Sequence, residues 1–199
     1  MCDTGVLIMI IFNAVVEGNS PKPAEVHIDE KLFPAIANGD RQAFEDLYTR
    51  TNCAVFSYAL SLLKNYPDAE DAAQDTFLKI RSAAHLYEAK GKPLAWILTI
   101  TRNICFMKLR QRGRTSDILI DELDLKSEFD KIADVEDKLV LNAAFETLSD
   151  QELQIIILHA VCALKHREIS EIVKTPLSTA ISKYNRGLKK LRKGLEGKL

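Results

Sequence analysis

Residues 165–195 read KHREISEIVKTPLSTAISKYNRGLKKLRKGL, and this stretch decides the fold of the C-terminal half of the chain. Residues 165–173 have the apolar spacing of a short helix, with Ile169 and Ile172 on its inner side. Residues 174–176 then interrupt the pattern, and a longer periodic segment follows. The stretch therefore predicts two helices joined by a tight turn.

The residues of the turn and of the second helix support this prediction. Thr175 can cap the second helix, and Pro176 can occupy its first position. Lys174 stands where glycine is common, and a left-handed conformation there costs roughly 1 kcal/mol. The apolar face of the second helix is formed by Ala180, Tyr184, Leu188, Leu191 and Leu195. Its outward side carries Ser178, Thr179, Ser182, Lys183 and Arg186. Together these features fit a helix-turn-helix, although any helical hairpin shares the same periodicity.

A second helix signal precedes this motif. In residues 148–153, LSDQEL, Ser149 and Glu152 have the spacing of a capping box, and the leucines on either side suit a hydrophobic staple. A helix is expected to start here, and another is expected around Asp137 to Leu148.

The N-terminal half predicts three further helices. One runs between Asp40 and Leu63 with apolar residues at three- and four-residue steps. Pro67, followed by carboxylates, predicts the first turn of the next helix, which is expected to run to about Tyr87. Pro93 restarts a helix to about Arg112. The expected fold class is all-α, with a first domain of three to four helices and a second, helix-turn-helix domain joined by an acidic linker.

Charge is segregated along the chain, although 27 basic and 28 acidic residues give a net charge of only −1. Residues 102–114 contain five basic residues and no acidic one, and residues 183–198 contain seven basic residues and one acidic one. Residues 115–137 between them hold nine carboxylates against two lysines. Two basic segments around an acidic one suit contacts with nucleic acid that the average charge hides.

Few features suggest enzymatic chemistry. Four cysteines are scattered singly, and Cys53, Cys105 and Cys162 fall in apolar helical patterns, where a thiol acts as a small hydrophobe. The four histidines stand apart from the cysteines and from one another in sequence. We therefore expect no catalytic residues, no metal site, no cofactor and a reducing, cytoplasmic location. Residues 6–12 are too short and too poor in flanking charge for a membrane span or a secretory signal.

Two segments in particular resemble a known family. Residues 68–80, DAEDAAQDTFLKI, and residues 93–103, PLAWILTITRN, look like region two of the bacterial sigma factors. Leu148 to Leu164 with the helix-turn-helix is similar to their region four. The short form resembles the extracytoplasmic-function (ECF) group. Met107 and Ile181 depart from the family's pattern, in which an acid and a basic residue are usual at these positions.

The resemblance implies four segments and a set of partners. Residues 1–30 are an N-terminal extension without an assigned role, 31–114 a region-two domain, 115–134 an acidic linker and 135–199 a region-four domain. The expected partners are core RNA polymerase, through its clamp and flap elements, and promoter DNA, with no membrane insertion. An anti-sigma protein is left open.

The resemblance also assigns residues. The surface that docks on polymerase would contain Asp71, Gln74, Asp75 and Phe77, although Phe77 equally suits the core. Contacts with the minus-ten element and the melted strand would come from His85, Tyr87, Arg102, Asn103, Lys108, Arg110, Arg112 and Arg114. In that set the cations would meet phosphates, while Tyr87 and Asn103 would line a pocket for an unstacked base. The minus-thirty-five element would be bound by Ser178, Thr179, Ser182, Lys183 and Arg186.

Other interpretations remain open at this point. The same charged residues would equally form ordinary solvated faces. Trp96 suits the core better than a nucleic-acid contact. The acidic linker suits either occupancy of a basic channel or a flexible tether. The resemblance favours a sigma factor that guides polymerase to promoters and assists melting. The alternatives are a helix-turn-helix regulator that acts without polymerase and an all-helical adaptor that binds only protein.

Overall fold

The computed structural model describes residues 27–115 and 147–196, and every regular element in these two stretches is helical. The two stretches belong to different compact units. The predicted all-α class with two helical domains is confirmed. The acidic linker beyond Thr115 and residues 137–146 of the helix expected before residue 148 lie outside the described residues.

The first unit is a small bundle built around three longer helices. Its elements are α1 (Leu32–Ala37), α2 (Arg41–Leu63), α3 (Tyr66–Ala83), a short 3-10 helix (Ala84–Leu86) and α4 (Pro93–Thr115). Helices α2, α3 and α4 pack against one another, and α1 packs on α2. The fully buried side chains at their meeting point include Leu47, Tyr58, Ile80, Ile97 and Leu98. Their burial supplies the main favourable term for this domain.

Helix starts in this unit follow local capping chemistry. The Asp40 carboxylate accepts hydrogen bonds from the backbone N–H of Gln42 at 2.8 Å and of Ala43 at 3.1 Å, so α2 begins at Arg41. The Asn65 side chain accepts from the N–H of Asp68 at 2.9 Å. Pro67 lies in the first turn of α3, one position later than predicted.

The end of α3 differs from the prediction. The α-helix stops at Ala83, and three residues of 3-10 helix follow in place of a regular helix to Tyr87. The side chain of Glu30 holds the loop beyond, because it accepts hydrogen bonds from the Tyr87 hydroxyl and from the N–H of Gly91. Gly91 has φ +70°, a conformation that favours glycine. Ile28 is also buried in this unit.

The second unit, described from residue 147, contains α5 (Asp150–Ala160), α6 (His166–Val173) and α7 (Leu177–Glu196), which pack on one another. Its core includes Ile155, Ile156, Leu158, Ile169 and Leu191. The predicted capping box is confirmed, because the Ser149 N–H donates to the Glu152 carboxylate at 2.9 Å and the Glu152 N–H to the Ser149 hydroxyl at 3.4 Å. The short α6 followed by the longer α7 is the predicted helix-turn-helix.

The turn of this motif is left-handed at Lys174, with φ 53° and ψ 48°. Lysine at this position costs roughly 1 kcal/mol relative to glycine, and the packing on either side has to offset that cost. The Thr175 hydroxyl donates to the carbonyl of Val173 at 3.2 Å. Helix α7 begins at Leu177, so Pro176 stands just before its first position rather than in it.

The cysteines differ in state. Cys105 and Cys162 are free and buried, as predicted, and burial raises the pKa of each thiol to about 12. Cys53 takes part in a disulfide, so the prediction that it behaves as an apolar thiol is wrong. Among the described helices, none is long and apolar enough to cross a membrane.

Candidate polymerase and nucleic-acid interfaces

The exposed side of α3 carries most of the residues predicted to bind polymerase. Asp71 and Gln74 are exposed, and the side chain of Asp75 is 47% exposed. Their spacing along a helix brings them to one side. Leu78, one turn further, is 64% exposed. On this side of α3 a polar surface therefore borders one large, exposed apolar side chain.

Phe77 does not belong to that surface. It is 4% exposed, and its ring packs against Tyr48 at a centroid distance of 4.6 Å and against Phe44 at 6.4 Å. Two roles were expected for Phe77, an aromatic anchor for polymerase at the edge of the core and a core residue, and the structure shows it buried in the core. Tyr48, whose ring packs on Phe77, is 44% exposed. Tyr48 and Leu78 are therefore large side chains with apolar surface that a partner can contact.

Part of the basic segment of α4 is engaged with α3. The Lys108 ammonium lies 3.0 Å from the Asp75 carboxylate, and Arg112 forms an ion pair with Asp68. The side chains of Lys108 and Arg112 are 23% and 42% exposed, so both stay within reach of solvent. One turn apart, the two cations lie on the side of α4 that faces α3.

A different side of α4 is open. Asn103, Met107 and Arg110 follow one another at helical spacing, and all three are exposed. The Arg110 Nε donates to the carbonyl of Phe106 at 3.1 Å, which directs the guanidinium along the helix. Arg102 is half-buried, with its guanidinium 4.4 Å from the centroid of the Phe106 ring. Arg114 lies in the last turn of the helix, and its side chain is outside the described part.

His85 in the 3-10 helix and Tyr87 at the start of the loop that follows are also predicted to contact a melted strand. His85 is exposed. Tyr87 is half-buried, with its ring stacked on Phe33 at 3.9 Å and edge-on to Trp96 at 5.3 Å. Burial and the neighbouring Glu30 carboxylate raise the pKa of Tyr87 well above its ordinary value. Phe33 thus covers one face of the Tyr87 ring, and Glu30 binds its hydroxyl. Stacking of a base on Tyr87 stays a prediction, and the base would have to use the other face of the ring.

Trp96 belongs to the same aromatic cluster. Its ring also meets Phe33 edge-on at 5.4 Å, in agreement with the packing role expected of it. Sequence reasoning missed Phe33 as the centre of this cluster, because it lies more than fifty residues before its partners.

The outward side of α7 presents most of the residues predicted to meet DNA. Ser178, Ser182 and Arg186 are exposed, while Thr179 and Lys183 are half-buried. The Ser182 hydroxyl donates to the carbonyl of Ser178 at 2.8 Å. The same helix has exposed polar and cationic residues that were not among the predicted site residues, namely Asn185, Lys189, Arg192 and Lys193.

Two of the residues predicted to contact DNA, Lys183 and Arg186, also interact with side chains of α5. Lys183 donates to the side chain of Gln151, and the Arg186 Nε lies 3.3 Å from the Glu152 carboxylate. Lys190 also donates to Glu152, at 2.7 Å. Burial acts to raise the pKa of Glu152, but the hydrogen bonds from Lys190 and Ser149 outweigh it and hold the pKa below its ordinary value. Glu152, with a side chain 3% exposed, thus anchors two cations of α7.

Behind this surface, two histidines stack. The rings of His159 and His166 lie 4.5 Å apart, and Tyr184 packs edge-on against both. The expectation that the histidines stand apart from one another therefore does not hold for His159 and His166. Burial and the neighbouring His159 lower the pKa of His166, which favours the neutral ring. Within the described residues, no group of three potential metal ligands occurs.

Comparison with known proteins places both units in one family. The sigma-70 region 2 model matches residues 47–115, and the sigma-70 region 4 model matches residues 138–191. The ECF RNA polymerase sigma factor SigK of Mycobacterium ulcerans is 31% identical over 177 residues, which cover 83% of this chain and 92% of that protein. SigK of Mycobacterium tuberculosis H37Rv is 26% identical over 109 residues, which cover 53% of this chain and 58% of that protein.

Solved structures share the fold. CnrH, solved with the cytosolic domain of CnrY, has a TM-score of 0.61 at 20% identity, covering 87% of this chain and 100% of that one. The sigma factor RpoE of Bartonella quintana, solved with the anti-sigma factor NepR, has a TM-score of 0.64 at 23% identity, covering 79% of this chain and 99% of that one. On the sequence matches, this chain belongs to the ECF group of the sigma-70 family of RNA polymerase sigma factors.

Proposed function

We propose that this chain binds core RNA polymerase, directs it to promoters with two separate sequence elements and assists melting of the duplex. The observation that carries the proposal is the order of the matches: a region 2 unit and then a region 4 unit, each with an exposed basic helix surface.

The α3 surface supports contact with polymerase. Asp71, Gln74 and Asp75 offer carboxylates and an amide to basic and polar partners, and Leu78 supplies apolar area beside them. Charged residues at such an interface set specificity and association rate, while the apolar contact contributes more of the affinity. We assign this surface, without Phe77, to docking on the polymerase clamp.

The open side of α4 supports contact with the minus-ten element. Arg110 can reach a phosphate without breaking an ion pair seen in the structure, whereas Lys108 and Arg112 must first leave Asp75 and Asp68. Asn103 is placed on the same side, where its amide can bond the edge of an unpaired base. Arg102, His85 and Tyr87 complete the proposed surface.

The helix-turn-helix unit supports contact with the upstream element. The N-terminal part of a recognition helix enters the major groove, and its flanks meet the backbone. Ser178, Thr179 and Ser182 lie in that part, and Lys183 and Arg186 follow. Their attachment to Gln151 and Glu152 fixes the direction of both cations before DNA arrives.

Reconstitution of transcription tests the proposal. Purified core polymerase is combined with the full chain on a library of promoter fragments with randomised upstream and minus-ten sequences. A sigma factor yields run-off transcripts from a defined subset, and the chain alone shifts the same DNA weakly. Sequence-specific shifts without polymerase, together with no specific transcripts, would instead support a regulator that acts alone.

An anti-sigma protein is part of the proposal. CnrH and RpoE were each solved with a bound protein, and NepR is an anti-sigma factor. Purification of the tagged chain from its own cells, with and without competing core polymerase, tests for such a partner: a protein that core displaces supports it, and recovery of core alone argues against it.

A further inference from the structure

Two aliphatic side chains stand on the outside of α7 near its start. Leu177 is 43% exposed and Ile181 is 36% exposed. They are four residues apart, so they are neighbours on one side of the helix. Ser178 and Ser182, each next to one of them in sequence, are exposed as well. A small apolar patch therefore interrupts a polar and cationic helix surface.

The patch lies where a recognition helix meets base edges. The first two turns of the second helix of a helix-turn-helix point into the major groove, and later turns follow the backbone. Arg186, Lys189, Arg192 and Lys193, which are exposed further along α7, suit phosphates on either side of such a groove. This setting favours DNA over a protein as the occupant of the patch.

We propose that Leu177 and Ile181 read the methyl groups of thymine in the upstream promoter element, and that Ile181 determines a preference for thymine at one position. The inference rests on the proposed function, and it adds which base the helix-turn-helix prefers at one position of the upstream element.

The chemistry of the major groove supports this assignment. Guanine presents two acceptors there, cytosine an amino group and adenine an acceptor with an amino group, whereas thymine adds a methyl group to its acceptor. Isoleucine can neither donate nor accept a hydrogen bond. Opposite guanine or cytosine it would strip water from polar groups without replacing it. Opposite thymine it buries a methyl group, so one side chain both favours thymine and disfavours the competitors.

Deoxyuridine gives a direct test, because it differs from thymidine only by the absence of this methyl group. Promoters are first selected from the randomised library with the full chain and core polymerase. Each thymine of the selected upstream element is then replaced by deoxyuridine, one position at a time, and the affinity of the holoenzyme is measured. The chain is compared with its variants Ile181→Ser, Ile181→Val and Lys189→Ala.

The expected result is a coupling between one methyl group and one side chain. Deoxyuridine at one position should weaken binding of the unaltered chain about fourfold, the effect of one methyl group withdrawn from water. The Ile181→Ser variant should bind both DNAs alike, and Ile181→Val should keep part of the difference. Lys189→Ala should weaken binding to both DNAs and preserve the fourfold ratio.

Other results would overturn the inference. Specific transcription from upstream elements without a preferred thymine, or an unchanged ratio in Ile181→Ser, would overturn it while leaving the proposed function intact. An equal loss on both DNAs in Ile181→Ser, with the ratio kept, would overturn it as well, because Ile181 would then contribute to binding without recognising the methyl group. A complete lack of specific transcripts would overturn the proposed function, and this inference with it.

Discussion

The Lys108 ammonium lies 3.0 Å from the Asp75 carboxylate and joins the proposed DNA-binding side of the first unit to its proposed polymerase-binding side. The two side chains are 23% and 47% exposed, so solvent screens the pair and it contributes at most about 1 kcal/mol to stability. In the free chain the two charges neutralise each other. A partner that binds either group therefore competes with this ion pair.

Reversal of the charge at Asp75 should weaken docking on polymerase. In Asp75→Arg, the carboxylate becomes a cation that repels both Lys108 and a basic partner surface, so affinity for purified core polymerase should fall by about tenfold or more. The helical content should not change, because Asp75 lies on the surface. Asp46→Arg on α2 makes the same charge change outside this surface and serves as the control. Equal affinities of the two variants would move the docking site elsewhere.

Arg110 and Arg112, near the end of α4, should differ in their contribution to DNA binding. Arg110→Ala removes an exposed cation and should lower the salt dependence of holoenzyme binding by about one unit of slope. Arg112→Ala should have a smaller effect, since Arg112 has to leave Asp68 before it meets a phosphate. The slope is measured by titration of promoter DNA at several salt concentrations, with Arg50→Ala on α2 as the control. An Arg110→Ala slope equal to that of the control would remove Arg110 from the DNA surface.

The fit between α5 and α7 depends on Gly187. A Cβ atom there would lie 2.7 Å from Cδ1 of Ile156, which is 1% exposed and has little room to move. Gly187→Ala should therefore destabilise the protein by about 1 kcal/mol, after the better helix propensity of alanine is counted.

The matched substitution for this comparison is Gly113→Ala in α4, where nothing lies within 4 Å of the new methyl group. It should stabilise by about 0.5 to 1 kcal/mol through helix propensity alone. Urea unfolding of the full chain measures both variants. Equal and favourable shifts would show that α5 and α7 do not pack as closely as described.

Glu152 should make stability depend on pH in the acid range. Its folded pKa is lower than its ordinary value of 4.5, so the ionised form stabilises the fold. This contribution is present above pH 4.5 and is lost as the pH falls through the folded pKa. Glu152→Gln keeps the capping geometry but removes the charge, and it should cost about 1 kcal/mol at neutral pH.

The pH series is the measurement that separates charge from packing at this position. Unfolding curves of the unaltered chain and of Glu152→Gln should converge as the carboxylate becomes protonated. A difference that persists undiminished at low pH would mean that Glu152 acts through its shape rather than through Lys190 and Arg186.

Local signals in the sequence predicted much of this molecule. The capping box at Ser149 and Glu152, the break at residues 174–176 and the proline starts of two helices all act over a few residues, so they can be seen without a structure. They predicted the helix order and the helix-turn-helix. The place of Lys174 in the turn indicated a left-handed conformation, but its residue type did not, because glycine is the residue that favours this conformation.

Long-range contacts could not be predicted in the same way. The burial of Phe77, the stacking of Tyr87 on Phe33 and the ion pair between Lys108 and Asp75 depend on how helices dock. Periodicity placed Phe77 between two faces, and only the packing of Tyr48 decides which one it joins. The stacking of His159 on His166 and the ion pair between Arg186 and Glu152 also depend on how helices dock. Each of these residues belongs to a different helix or helix end from its partner, so the spacing within one helix does not predict the contact.

The central claim is that two helical units contact two promoter elements at once, and only as part of the polymerase. A footprint on one selected promoter tests it most directly, with the chain alone and with core polymerase added. We predict two separate protected segments, upstream and at the minus-ten element, that appear together and only when core is present. Protection of a single segment by the chain alone, unchanged by core, would contradict the account.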